Sequence, residues 1–455
     1  MYVNRKHDKP LHRIRMLVMI CLYLAGLAAS GVASANPNIQ HWTTTNGARV
    51  YFVASPELPI VDVQVVFDAG SARDGAHAGL AQLTNSLLDQ GAGDLNADQI
   101  AEGLDGIGAN LNTSSYRDMA IVSLRSLTDP TLLDPALDIM TLMVSQPSFP
   151  EDAFKLQQKR TLIALRGQKE SPSAIAEKVF FAAIYGDHPY ASPPLGSDES
   201  ISALTRQDVM DFHKHYYAGR NATIAIVGAV DRKAAEKIAE RVVGKLPAGE
   251  AAAALPPVQP LAAAKVEHLP YPSAQTHILM GQPGISRDDP DYFPLVLGNH
   301  ILGGGGLVSR IAEAVREKRG LAYSAYSNFS PMHVAGPFIA GLQTRNEKAD
   351  AALGVLRDTL RDFISKGPTA AELSAAKKNI TGGFALNLDS NSKIVDNLAA
   401  IGFYKLPLDY LDTYNQRIEA VTAEQIHDAF RRRIHAKDMA TVMVGGGQTA
   451  STAAP

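Results

Sequence analysis

Ala222 to Gly228 (ATIAIVG) is a short apolar run of the kind that fills a buried strand, and it recurs 217 residues later as Met439 to Gly445 (MATVMVG). The correspondence extends backwards at the same offset. Thr205 aligns with Thr422, Val209 with Ile426 and Asp211 with Asp428. Both threonines are candidate helix N-caps, with Asp208 and Gln425 three residues on; Gln425 fits the capping-box pattern. Each half therefore ends as helix then strand. A repeat of about 200 residues is a domain duplication rather than a solenoid.

Strand signals also open each half. Ala48 to Val53 and Val61 to Phe67 alternate or run apolar around a proline-containing turn, and Thr276 to Met280 opens the second half. Between the halves, Ala248 to Ala264 (AGEAAAALPPVQPLAAA) has no periodicity and reads as a linker. Strands mixed with long helices predict an α+β protein of two homologous domains, residues 36–247 and 265–447, each a mainly antiparallel sheet packed with helices. Residues 448–455 are expected to be a disordered tail.

The first 35 residues have the form of an export signal. Arg5, Lys6, Lys9, Arg13 and Arg15 precede an apolar run from Met16 to Ala29, and Ala33-Ser34-Ala35 is a small-residue cleavage site. The run is short for a span of about 20 residues, so no stable membrane anchor is expected after cleavage. The only cysteine, Cys21, lies in this segment. An exported chain that cannot form disulfides points to a bacterial periplasm. Residues 36–455 carry 38 basic and 45 acidic side chains, a net charge of −7, which disfavours nucleic acid as a partner.

Gly79 to Leu87 (GLAQLTNSL) reads as a helix with Leu80, Leu83 and Leu87 on one face. Gln82 and Ser86 are four apart, with Asn85 between them. A zinc peptidase wants two imidazoles and a carboxylate in such a place: the imidazoles hold the metal and the carboxylate takes a proton from its water. Two amides and a hydroxyl do neither, so no metal is expected in this chain. His77, beside Asp74, is the best candidate for a rebuilt site.

Several segments resemble the pitrilysin/insulinase family of zinc peptidases. They are Phe67 to Arg73 (FDAGSAR), Gly79-Leu80-Ala81, Asp187-His188-Pro189-Tyr190, Leu195-Gly196-Ser197 and Arg316 to Tyr323 (REKRGLAY). The resemblance runs from about Gly47 to Gly447. It implies two such domains that, with a partner of the same shape, close like a clam shell around a chamber. It puts the zinc histidines of the H-x-x-E-H motif on Gln82 and Ser86 and the catalytic glutamate on Asn85. The family's third ligand, a glutamate, falls near Leu162 to Ala164, where there is no acid.

The same resemblance assigns Arg316 and Tyr323 to a pair on the C-terminal domain that faces the zinc helix. The tyrosine binds the oxyanion of the tetrahedral intermediate and the arginine holds substrate backbone. Gly303 to Gly306 resembles the family's glycine-rich segment before that pair. Asn110 to Arg117, including Asn112 and Thr113, matches the strand that pairs with extended peptide substrate. The family includes two-subunit peptidases in which one chain carries zinc and the other completes the chamber. The expectation is a non-catalytic subunit lending Arg316 and Tyr323 to a zinc-bearing homologous peptidase acting on peptides. A peptide-binding or structural protein with no role in proteolysis is the alternative.

Overall fold

The computed structural model describes residues 37–447, and from Ile39 onward they form one compact unit. The expected export signal and C-terminal tail lie outside the described residues. No helix among the described residues is long and apolar enough to cross a membrane.

The first half builds a six-stranded sheet from β1 (Gln40–Thr43), β2 (Arg49–Ala54), β3 (Ile60–Phe67), β4 (Asn110–Ser115), β5 (Ala120–Leu127) and β6 (Ala222–Gly228). Their spatial order is β1-β2-β6-β3-β5-β4. The second half builds a five-stranded sheet from β7 (Lys265–Leu269), β8 (Gln275–Pro283), β9 (Ala322–Phe329), β10 (Pro337–Arg345) and β11 (Ala440–Val444), in the order β7-β11-β8-β10-β9. The two orders superpose. The last strand of each half inserts next to an early one: β6 lies between β2 and β3 and β11 between β7 and β8, each parallel to the first of its neighbours and antiparallel to the second. Only β1 lacks a counterpart. The repeated runs ATIAIVG and MATVMVG thus lie inside their sheets. β6 and β11 are buried along their whole length, so each is continuously apolar rather than alternating.

Burial falls towards one edge of each sheet. β5 alternates between its two faces, and the edge strand β4 has no fully buried residue. At the equivalent edge, β9 buries Ala322, Ser327 and Phe329 and leaves most of its other positions exposed.

The halves exchange helices. Pro172–Tyr185 leaves the first half and packs on β8 and β11, where Ala176, Phe180 and Ile184 meet Ala440, Val442 and Val444. Asn391–Phe403 leaves the second half and packs on β2, β3 and β6, where Val395, Leu398 and Ile401 meet Val53, Val66, Ala225 and Val227. The approach is close enough to exclude a side chain at Gly402, where a Cβ would lie 2.5 Å from both Thr223 and Tyr51. Each sheet thus has one face covered by its own helices and the other by a helix from the opposite half.

The alanine/proline segment between the halves has no helix or strand until the bends that precede β7, but it is pinned to the body. Ala252 N–H donates to Asn221 Oδ1 at 3.0 Å, Arg73 Nη1 donates to Ala253 O at 2.7 Å, and His188 Nε2 lies 2.9 Å from Pro256 O. Leu255, Val258 and Leu261 pack against the core under Pro172–Tyr185. It is a strap rather than a free tether.

Candidate functional site

The helix at the degenerate motif spans Leu80–Asn85, and its start is set by Asp74 and Gly79. Gly79 adopts φ 94°, and its missing Cβ leaves room for Ile201 and the Leu195 carbonyl. Asp74 is 3% exposed and accepts the N–H groups of Gly79 and Ala81 at 2.7 and 2.8 Å. Burial pushes its carboxyl up to about 7 in spite of those two donors. Leu80, Leu83 and Leu87 enter the first-half core.

Two of the three motif positions are hydrogen-bonded by the protein itself. Asn85 is 1% exposed, and its Nδ2 donates at 3.4 Å to Ile121 O and to the Tyr217 hydroxyl. Ser86 lies at the helix C-cap, and its hydroxyl donates to Leu83 O at 2.9 Å. Gln82 is partly buried. Beneath Asn85, Tyr217 is wedged against Phe67 and stacked on His213, with ring centroids 4.5 and 4.6 Å away. Burial holds the Tyr217 phenol well above its usual range and brings the His213 imidazole down to about 4, so both stay neutral. Tyr217 and His213 had no signal in the sequence as partners of this site, since 132 residues separate Tyr217 from Asn85.

The segment expected to supply a third ligand lies on the helix Glu151–Lys169, which packs against Leu80–Asn85. It brings only aliphatic groups: Leu162 joins the core and Ile163 points outward, 56% exposed. His77 is exposed, and Asp74 is engaged in capping. Among the described residues no group of three His, Cys, Asp or Glu side chains is placed to hold a metal ion.

Arg316 and Tyr323 are brought together. Arg316 belongs to the π-helical turn Glu313–Glu317, and the chain reverses at Gly320, φ 58°, to enter β9. The register of β9 on β10 shifts between Ala322 and Ser324, which makes Tyr323 the bulged residue of an edge strand. Tyr323 is 83% exposed, and the Arg316 guanidinium carbon sits 4.6 Å from its ring centroid. Glu317 Oε1 lies 3.3 Å from Arg316 Nε. The glycine-rich segment packs behind the same strand, where a Cβ on Gly303 would lie 2.3 Å from Ser327 N. It presents Leu307 and Val308 to solvent.

Asn112 and Thr113 lie on β4, opposite Ser123 and Val122 of β5. They face opposite sides of the sheet. Asn112 is exposed and opens onto a cleft of about 320 Å³, whereas Thr113 is half-buried on the side of Leu111, which packs on the first-half core. β4 pairs only with β5, and the helix Leu80–Asn85 packs against it. The degenerate motif and the candidate peptide-pairing edge are therefore neighbours.

Residues 49–198 match the family described as insulinase (peptidase family M16), and residues 203–380 match the peptidase M16 inactive domain. A solved structure described as a peptidase M16 inactive domain from Pseudomonas fluorescens is 39% identical, with TM-score 0.87, covering 90% of this chain and 99% of that one. A protease structure from Helicobacter pylori shares the fold at TM-score 0.83 and 21% identity, over 90% of this chain and all of that one. Among curated relatives, an uncharacterized zinc protease of Mycobacterium leprae is 26% identical over 87% of this chain and 89% of its own length. The non-peptidase homologue YmxG of Helicobacter pylori is 25% identical over 85% and 89%. The chain belongs to the insulinase family, peptidase family M16.

Proposed function

We propose that this chain is the non-catalytic subunit of a two-chain zinc endopeptidase, completing the substrate chamber of a zinc-bearing homologue with Arg316 and Tyr323. One contrast carries the reading: the motif positions hold no metal ligand, with Asn85 buried against Tyr217, while Tyr323 is held out on a bulge under Arg316. A tyrosine hydroxyl so exposed is free to reach a developing oxyanion in a second molecule, and the guanidinium, paired through Nε with Glu317, keeps its Nη groups to hold a peptide carbonyl. Zinc, held by the other chain, would supply the Lewis acid and the activated water. The open edge of β4 offers backbone groups for pairing with an extended peptide. The basic, apolar and small-residue pattern of residues 1–35 supports a periplasmic location for the pair.

The test is peptidase activity on a fluorogenic peptide, with this chain alone, the zinc-bearing homologue alone, and both mixed. Activity that appears or rises sharply only in the mixture supports the reading. A mixture no more active than the homologue overturns it and leaves a peptide-binding role without proteolysis.

A further inference from the structure

Arg287 is a largely buried guanidinium with no carboxylate partner among the described residues. Its hydrogen bonds go to phenols: Nη1 donates to the Tyr292 hydroxyl at 2.6 Å and Nη2 to that of Tyr410 at 3.4 Å. Its central carbon lies 4.8 and 5.7 Å from the centroids of those rings. Nε is shut off from solvent and has no acceptor. Burial holds the Tyr410 phenol above its usual range and pushes Tyr414 up to about 12, so neither becomes an anion that would balance the arginine. A charge kept out of water ordinarily has an ionic partner.

This unbalanced cation lines a cavity of about 370 Å³ whose walls also include Lys393, Asn397 and Tyr414. Lys393 is already neutralised by Asp389, 3.0 Å away. The cavity adjoins the cleft beside β4, and Asp396 stands in the wall of both. Asp396 is the acidic residue of the cavity wall, but no ion pair joins it to Arg287 among the described residues, and partial burial, with Asp62 after it, raises its carboxyl and so disfavours the charged form. The cleft in turn is lined by Asn110, Asn112 and Ser114. A peptide laid along the β4 edge thus has a polar path leading to the arginine.

We propose that this cavity is a carboxylate subsite, in which Arg287, framed by the hydroxyls of Tyr292 and Tyr410, receives an acidic group of a peptide bound along the β4 cleft. The proposal rests on the peptide-handling reading above and adds a substrate preference to it. The guanidinium retains undonated N–H groups, and charge-assisted bonds to a carboxylate are about twice as strong as neutral ones. The same chemistry would accept either an acidic side chain or a free C-terminus.

The test is fluorescence anisotropy on the chain by itself, with labelled ten-residue peptides in matched pairs. One pair has Glu or Gln at the same place and an amidated end; the other has a free or an amidated C-terminus. The expected result is about tenfold tighter binding of the acidic member of at least one pair, which identifies the source of the carboxylate. Arg287→Gln should bring that ratio close to one, and Tyr410→Phe should reduce it. If Arg287→Gln does not fold, Arg287→Lys keeps the charge but loses the planar fork, and the ratio should still fall. Equal binding within both pairs, or a ratio unchanged by every Arg287 variant, overturns the proposal. No partner subunit takes part, so this assay and the mixed-subunit peptidase assay fail independently.

Discussion

Asn85 is 1% exposed and Tyr323 is 83% exposed, and these are the positions that the family resemblance assigns to the zinc side and to the oxyanion side of a peptidase site. The family resemblance puts a catalytic glutamate at the position of Asn85. Asn85 is closed over by Tyr217 and by the Ile121 carbonyl, so its amide belongs to the core. Tyr323 is open to solvent, with the Arg316 guanidinium over its ring. A buried position must satisfy its neighbours, so packing accounts for Asn85. An exposed aromatic on a bulge contributes little to stability, so folding does not explain why it is held out. The contrast separates a site built into the core from one still available to a second molecule.

The largest expected effect tests the closed side. Tyr217→Ala removes a fully buried ring and leaves Asn85 without its hydroxyl partner, so it should cost about 3–5 kcal/mol in denaturant unfolding. A loss below 1 kcal/mol would show that the region is not part of the core. Next is the helix start. Asp74 has a native value of about 7 against an ordinary 3.8, so it binds its proton more tightly in the folded state. Its contribution is present in full below about 3.8 and is lost as pH rises to about 7, on the order of 4 kcal/mol. Asp74→Asn should flatten that decline in unfolding measured between pH 4 and 8; an unaltered slope would assign it to other groups.

On the open side, Tyr323→Phe should lower the peptidase activity of the mixed subunits about 100-fold, the size seen when an oxyanion donor is removed. Unchanged activity would remove the tyrosine from the chemistry. The same variant should shift unfolding by less than about 0.5 kcal/mol, as surface changes do. Rebuilding the motif with Gln82→His, Asn85→Glu and Ser86→His should not yield stoichiometric zinc by elemental analysis. The segment Leu162–Ala164 still lacks a carboxylate, and the new Glu would be buried beside neutral Tyr217. Zinc retained by this triple variant would mean that the site is nearer to function than its burial implies.

Much of this was legible in sequence because it is local. The 217-residue offset and the apolar runs at Ala222 and Met439 gave the duplication, and the structure adds that both runs enter the middle of their sheets. The lack of zinc ligands at Gln82, Asn85 and Ser86 needed only side-chain chemistry. What could not be read depends on distant contacts. Nothing in the pattern of Pro172–Tyr185 or Asn391–Phe403 says that an apolar helix face will cover the other half's sheet rather than its own. The alanine/proline segment reads only as a linker because the groups that pin it, Arg73, Asn221 and His188, are far away in sequence. The bulge at Tyr323 exists only relative to β10.

The exchange of helices and the late insertion of β6 and β11 bear on how the molecule comes into being. The first sheet can complete its hydrogen bonding once Ala222–Gly228 has been made, but its second face stays uncovered until Asn391–Phe403 follows. The second sheet waits for Ala440–Val444, almost the last residues described. Such long-range closure is slow. During synthesis the chain therefore passes most of its length as an incomplete body with apolar sheet surface showing, and a chaperone that meets it then has an open chain to grasp.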